Sequence, residues 1–280
     1  MGKWIRRILI VVLLGVFVFS TWKLLSIRQR YKTSQAVYND AVAQFTKPAA
    51  RPAEAGTAAA DTPGEPAGEP AEESAAPETE YAPIEVNFEF LTEINGDVIG
   101  WIYCEDTVIN YPVVHAPDNE HYLERDYRHN PDPCGTIFTD MSNTRGFNDS
   151  NVILYGHHMQ DMTMFATLKY WLEQDYYDAH PVMWLLTPEQ DYRIELFSGY
   201  VTSATSDTYT IFYGPRPEFD DYLQTALSQS EFRADVELDG ESHYVVLSTC
   251  AYSFELARTV LHGKLVPVNS AGGVPFPETA

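Results

Sequence analysis

Short apolar runs separated by turn residues follow one another through residues 83–268. They are rich in Val, Ile, Tyr and Phe, which is typical of β-strands. The clearest are VIGWIY, INYPVV, GTIFTD, NVILYG, PVMWLLT, YRIELFSGYV and YVVLSTC, and RTVLHGKLV is a further strand-like run. Because many short strands accompany few helices, the pattern predicts a mainly β domain that forms a closed or nearly closed β-barrel.

Helical patterns are fewer than strand patterns. NFEFLTEI and TMFATLKYW are two candidates, and the longest is PEFDDYLQTALSQSEF, which opens with a proline and places its apolar residues along one face. We therefore expect a few peripheral helices around the barrel, including one inserted between the last strands.

The apolar run near the amino terminus has a different character, since it is continuous from Ile8 to about Leu25. Its length is close to the roughly 20 residues that a membrane-spanning helix needs. A cleaved signal peptide is the alternative, but the bulky residues Phe17 to Phe19 occupy the place of a small-residue cleavage site. The pattern predicts an uncleaved transmembrane anchor over residues 8–25, with residues 1–7 in the cytoplasm.

The segments outside the barrel and the anchor are polar. A juxtamembrane helix is predicted over residues 26–46, and a tail over 269–280. Residues 47–82 are mostly Pro, Ala, Gly and Glu. With so little to bury, this segment is predicted to be a disordered, extended tether. The formal net charge of −22 argues against a nucleic-acid partner, because such binding needs clustered Lys and Arg.

The chain has three cysteines, fewer than a secreted disulfide scaffold would carry. It contains no C-x-x-C pair and no H-E-x-x-H motif, so no metal and no other cofactor is expected. The adjacent His157 and His158 would point to opposite faces of a strand and could not easily share one ion.

Two strand-like runs have, at or just after their last residue, a side chain that can act as a nucleophile or carry a proton. Cys250 closes YVVLSTC, and His157 follows NVILYG, where Gly156 allows a sharp exit. If the two strands are neighbours, their ends would bring imidazole and thiol together, and a nearby cation favours the thiolate that acts as nucleophile. Arg258 opens RTVLHGKLV, which could return beside the cysteine strand and hold an oxyanion. The alternative is an anchored binding module in which Cys250 packs and Arg258 is a surface charge.

These motifs resemble those of the sortases, and of class B in particular. VVLSTC followed by an arginine, NVILYGHHM upstream and the long helical insert occur in family order. The T-x-x-T-C form of the cysteine motif is met loosely, because Val246 stands where the first Thr usually is. The resemblance implies a sortase-like barrel with Cys250 as nucleophile, His157 as general acid–base and Arg258 as the residue that steadies substrate and oxyanion.

The resemblance also implies substrate-binding residues. In class B relatives a leucine, a tyrosine before the insert helix and the serine of the cysteine motif line the peptide groove. The corresponding residues here are Leu123, Tyr209 and Ser248, with Thr205 as a weaker candidate.

The implied function is that of a cysteine transpeptidase. Secreted proteins bearing a carboxy-terminal sorting motif, of the Asn-Pro-x-Thr-x or Pro-Pro-x-Thr-Gly type, would be cleaved after Thr through a thioester and transferred to a peptidoglycan or lipid II amine. A pilin-polymerising sortase and an anchored cysteine protease are alternatives. The enzyme would be a single-pass protein of a Gram-positive-type cell membrane, with its catalytic domain outside.

Overall fold

Eight strands close into one barrel in the computed structural model of the chain, which describes residues 2–49 and 81–269. The barrel strands are β3 (Val98–Tyr103), β4 (Asn110–His115), β5 (Ile137–Thr139), β6 (Asn151–Tyr155), β7 (Val182–Leu186), β8 (Asp191–Ser203), β9 (His243–Cys250) and β10 (Ala257–Val268). Two short strands precede them, β1 (Thr46–Pro48) and β2 (Ile84–Val86). Every run predicted as a strand is a barrel strand, and the mainly β barrel fold is confirmed.

Neighbouring strands follow the order β10–β8–β7–β3–β4–β5–β6–β9, and β9 pairs with β10 to close the barrel. Most pairs are antiparallel, but β6 runs parallel to β9. This parallel pair matters for function, because parallel strands end at the same edge of a sheet.

Four α-helices accompany the barrel within the described residues: α1 (Lys3–Phe45), α2 (Phe88–Ile94), α3 (Gln174–Ala179) and α4 (Pro217–Gln229). Helix α4 lies between β8 and β9 in the chain, as predicted for the inserted helix. The helix predicted within TMFATLKYW differs, because the structure forms a 3-10 helix over Ala166–Leu172. Helix α3 was not predicted, and its shortness explains why periodicity gave no signal.

Alternate residues of β9 belong to two different apolar clusters. Val245 and Leu247 pack into the main core, whereas Tyr244 and Val246 pack into a second cluster on the other face of the strand. Helix α4 covers this second cluster with its buried residues Phe219, Leu223 and Ala226. The helix therefore covers one end of the outer face of β9 and leaves the Cys250 end outside that cluster.

Helix α1 joins the amino-terminal apolar run to the barrel without a break. It is long and apolar enough to cross a membrane, by length and composition. Its carboxy-terminal half packs on the barrel through Tyr38, Ala41 and Phe45, which are at most 5% exposed. Each fully buried large apolar side chain contributes roughly 1.5–3 kcal/mol to such packing. The helix is thus held against the barrel rather than separated from it.

The ends of the predicted tether are part of the folded domain. Strand β1 pairs antiparallel with β2, with Lys47 opposite Glu85, and Ala82 is 2% exposed. The tether boundaries at residues 47 and 82 therefore need correction, since β-pairing recruits Thr46–Pro48 although Lys-Pro is not a strand-like sequence. The interior of the predicted tether and the tail beyond residue 269 lie outside the described residues.

Candidate active site

The three predicted catalytic residues lie at or just beyond the ends of three neighbouring strands: Cys250 ends β9, Arg258 lies at the start of β10, and His157 follows β6. Strand alternation places Cys250 on the same face of β9 as Val246. Arg258 likewise shares the face of Val260 in β10, and both Val246 and Val260 belong to the cluster beneath α4. Cys250 and Arg258 therefore lie on the same sheet face that α4 covers, just beyond the edge of the apolar cluster.

The pairing registers bring the three residues to one edge. In the antiparallel pair, Arg258 is directly opposite Cys250. In the parallel pair, Tyr155 is opposite Ser248, and His157 and Cys250 each lie two residues further along their chains. Strands β6 and β9, which were expected to end at one rim, are thus neighbours. Strand β10, which carries Arg258, pairs with the other edge of β9.

Gly156 provides the exit from β6. Its amide donates to the Ser248 carbonyl at 3.1 Å, which continues the strand pairing. A Cβ at this position would lie 2.6 Å from atoms of Ile137 and Phe165. Only glycine therefore fits the turn that delivers His157 to the rim.

His157 is oriented by a backbone carbonyl. Its Nε2 lies 2.7 Å from the carbonyl oxygen of Leu123. Because a carbonyl can only accept, Nε2 must carry the hydrogen, and Nδ1 is left as the nitrogen that can exchange a proton. The sequence pointed to Leu123 as a groove side chain, and it gave no signal for this role of its carbonyl, since every residue carries one.

His158 occupies a different environment. Its ring packs edge-on against Tyr252 at 5.2 Å between centroids, and its Nδ1 is buried without a hydrogen-bond partner. Burial lowers the pKa of His158, with the nearby Cys250 carbonyl acting in the opposite direction. This histidine is therefore disposed to stay neutral and to pack rather than to shuttle protons.

The predicted substrate-binding residues fall into two groups. The Tyr209 hydroxyl and Ser248 Oγ are 2.8 Å apart, and Ser248 is two residues before Cys250 on the same face. Ser248 is only 1% exposed, whereas Tyr209 is half-buried and is the more accessible member of that pair. Leu123 is 37% exposed beside His157. Thr205 bonds Ser203 in an exposed turn and has no described contact with the other three.

Tyr155 is a further residue of this region that sequence reasoning missed. It stacks on Tyr209 with ring centroids 6.3 Å apart and donates to Asp140 at 2.9 Å. Burial raises the pKa of Tyr155 and of Tyr209, and the charge of Arg258 opposes that rise in both. The alternation that marks Cys250 also marks Tyr155, two residues before His157, and could have found it.

The other two cysteines have no comparable setting. Cys104 and Cys134 are at most 2% exposed, and burial raises the pKa of each thiol to about 12. All three cysteines are free thiols, and Cys250 is the one that is partly exposed. Within the described ranges, no three His, Cys, Asp or Glu side chains are grouped to hold a metal ion.

Comparisons with known proteins identify relatives that align with most of the chain. A curated sortase B from Listeria monocytogenes is 34% identical over 268 residues, which cover 94% of this chain and 98% of that protein. A Clostridium perfringens sortase B structure superimposes with a TM-score of 0.61 at 31% identity, covering 64% of this chain and 100% of that one. A Staphylococcus aureus sortase B–substrate complex gives a TM-score of 0.60 at 30% identity, covering 65% and 85%.

A scan against protein-family models found no match. The similarity to the Listeria protein nevertheless extends over nearly the whole of both chains, at 34% sequence identity. The barrel, the inserted helix and the order of the motifs agree with it. The chain belongs to the class B sortases, a family of cysteine transpeptidases.

Proposed function

We propose that this chain cleaves a carboxy-terminal sorting motif of secreted proteins after its Thr and transfers the new carboxyl end to a cell-wall amine. The observation that carries the proposal is the strand register, which brings Cys250, His157 and Arg258 to one edge of the barrel. The Staphylococcus aureus relative solved as a sortase B–substrate complex supports the proposal.

The first half of the reaction would form a thioester. The Cys250 thiolate attacks the Thr carbonyl carbon, and the electron pair of the C=O bond moves to the oxygen. Arg258 binds this oxyanion through its guanidinium, which presents N–H donors in a fixed plane. Protonated His157 gives its Nδ1 proton to the leaving amine as the peptide C–N bond breaks.

The second half would restore the enzyme. A cell-wall amine attacks the thioester carbonyl, and neutral His157 accepts the amine proton at Nδ1. The C–S bond then breaks, a new amide forms, and Cys250 leaves as the thiolate. His157 thus returns to its protonated state, and no net proton is gained or lost by the enzyme over the cycle.

Helix α1 supports a membrane location. We propose a single crossing by residues 8–25, with residues 1–7 in the cytoplasm and the barrel outside the cell. The length and composition of α1 support this topology, together with the basic residues that precede its apolar part. Mass spectrometry of membrane-extracted protein tests it, because a mature amino terminus near residues 20–30 would show cleavage instead of anchoring.

Product analysis of a sorting peptide tests the transferase function itself. The peptide is incubated with the full-length protein while a diaminopimelate-type or oligoglycine amine is titrated, and products are identified by mass spectrometry. We expect slow hydrolysis alone and conversion to the amide as amine is added. Hydrolysis that is indifferent to amine would assign the chain to the cysteine proteases.

The matched control is Cys250→Ala. This substitution should abolish both hydrolysis and transfer while leaving the melting temperature close to that of the wild type, because Cys250 is partly exposed at a strand end. A large loss of stability, with no turnover detected in either protein, would favour the binding-module alternative.

A further inference from the structure

The carboxy-terminal half of α1 packs one buried face against the barrel. Ser34, Tyr38, Ala41 and Phe45 recur at helical spacing and are 1%, 5%, 0% and 2% exposed. Two of the four are polar, which is unusual for a face that only supplies apolar packing. Their hydroxyl groups make specific contacts with a loop of the barrel.

That loop comprises residues 132–136, between β4 and β5. The Tyr38 hydroxyl donates to the Gly135 carbonyl and lies 3.3 Å from Thr136 Oγ1. Ser34 Oγ donates to Asp132 Oδ1 at 2.7 Å. Because these groups are buried, losing one partner would leave the other without compensation, which costs more than the bond itself contributes.

The same loop lies against the segment that orients His157. Gly135 has φ +59°, and a Cβ there would lie 2.5 Å and 2.7 Å from the carbonyl oxygens of Tyr122 and Leu123. The Thr136 amide donates to the Tyr122 carbonyl at 3.0 Å. A displacement of residues 135–136 would therefore move the Leu123 carbonyl, which is the hydrogen-bond partner of His157 Nε2.

Helix α1 also contacts the loop that follows His157. Gln35 Nε2 donates to Asp161 Oδ2 at 3.0 Å, and Asp161 Oδ1 accepts from Thr163 Oγ1 at 2.7 Å. The loop closes where the Phe165 amide donates to the His157 carbonyl at 3.0 Å. Two chains of contacts thus connect α1 to His157. The first route runs through Gly135 and the Leu123 carbonyl, and the second route runs through Asp161 in the loop that follows His157.

We infer that Tyr38 and Gln35 of α1 are positioning residues for His157, so that the helix entering the membrane also sets the orientation of the imidazole. This inference rests on the proposed role of His157 in the reaction. Neither residue touches the reacting atoms. Their effect passes through the Gly135 backbone and through Asp161.

Tyr38→Phe in the full-length, detergent-solubilised protein tests the first route. The change removes the hydroxyl and keeps the ring, which packs edge-on against Tyr111 at 5.5 Å. Because small displacements of a catalytic group can cost up to about 10²-fold in rate, we expect kcat for a sorting peptide to fall about 10-fold with little change in KM.

The matched control is Tyr31→Phe. Tyr31 lies on the same helix and packs partly buried against the main core, and its hydroxyl has no hydrogen bond to any described residue. We expect wild-type kcat from this variant. An equal loss in Tyr31→Phe and Tyr38→Phe would overturn the inference, because it would show that α1 acts through general packing.

Gln35→Glu tests the second route by placing a carboxylate against Asp161. Its control is Gln29→Glu, which adds the same charge at an exposed position of α1. We expect a fall in kcat from Gln35→Glu and none from Gln29→Glu. Equal rates in these two variants would remove Gln35 from the proposal.

A spectroscopic measurement keeps this test independent of turnover. The ¹⁵N resonances of the His157 imidazole, assigned by their loss in His157→Gln, report the hydrogen bond at Nε2. We expect the Nε2 resonance to move in Tyr38→Phe and to stay in place in Tyr31→Phe. An unmoved resonance in Tyr38→Phe would overturn the inference. If the wild type itself cleaves no sorting peptide, the proposed function fails, and the imidazole resonances alone decide the positioning role.

Discussion

Cys250 and Arg258 are directly opposite each other in the antiparallel pair of β9 and β10. Residues paired in this way have Cβ atoms roughly 4.5–5.5 Å apart and side chains on the same face of the sheet. A guanidinium at that position can reach an oxygen on a carbon that the thiol would attack in the proposed reaction. The register alone therefore gives the arginine a geometric reason to take part in the chemistry.

Arg258→Lys is expected to reduce kcat/KM for a sorting peptide by roughly 10²-fold, the scale of a lost oxyanion donor. Lysine keeps the charge but lacks the planar set of donors that arginine presents. Steady-state kinetics on the purified protein measure the change, with Arg216→Lys as a control at an exposed position near α4. Near-normal turnover in Arg258→Lys would reduce Arg258 to a surface charge.

The adjacent histidines should behave differently. His157→Ala removes the proposed proton carrier and should be inactive. His158→Ala removes a ring that packs on Tyr252 and should keep substantial activity. Peptide cleavage rates of the two variants measure this difference, and the reverse order of activities would show that the acid–base residue has been assigned to the wrong histidine.

Thiol labelling should single out Cys250. The thiols of Cys104 and Cys134 are buried, and burial raises the pKa of each to about 12, so neither is a nucleophile at neutral pH. Iodoacetamide on the folded protein should add one group per chain, located on Cys250 by peptide mapping. Labelling in denaturant should reach all three cysteines, and modification of Cys104 or Cys134 in the folded protein would contradict the buried setting.

Stability should decline as the pH falls below about 6.5, because of His262. Burial lowers the pKa of His262 from 6.5 to about 3. Its Nε2 lies 3.1 Å from the Tyr222 hydroxyl, whereas its Nδ1 is buried without a partner. Between pH 6 and pH 4, His262 therefore binds a proton in the unfolded chain but not in the folded chain. The free energy of unfolding falls by up to about 1.4 kcal/mol for each unit by which the pH is lowered in this range.

Denaturation at pH 7 and pH 5 measures that slope. His262→Gln keeps a donor for Tyr222 but does not titrate, so the variant should lose less stability than the wild type over this interval, whatever its stability at pH 7. Identical slopes for the two proteins would assign the acid sensitivity to other groups.

The sequence predicted the barrel well because each of its strands is apolar enough to be recognised locally. It also placed Cys250 and His157 at strand ends, from which their proximity followed once β6 and β9 were neighbours. It could not predict the carbonyl of Leu123 as the partner of His157, because a backbone group leaves no mark in the sequence. The docking of α1 was missed for a related reason, since its buried face contains Ser34 and depends on partners about 100 residues away.

Removal of residues 50–80 should leave both folding and catalysis intact. The described residues on either side of it are held together, because β1 pairs with β2 and the Ala49 amide donates to the Pro83 carbonyl at 2.9 Å. Joining Ala49 to Tyr81 through a short Gly-rich turn shortens the connection between the two paired strands, and a shorter connection lowers the entropic cost of bringing its ends together. The melting temperature and kcat/KM of the shortened, membrane-embedded protein test this expectation, and loss of activity there would show that the segment itself takes part.

The pairing of β1 with β2 also changes what a protease could do to this protein. In a chain whose anchor and catalytic domain were joined only by an extended segment, one cut between residues 50 and 80 would release the enzyme from the cell. Here the helix on one side of such a cut remains packed against the barrel on the other, through Tyr38, Ala41 and Phe45. If α1 anchors the protein as proposed, a nicked molecule stays on the membrane as two fragments that this packing holds together.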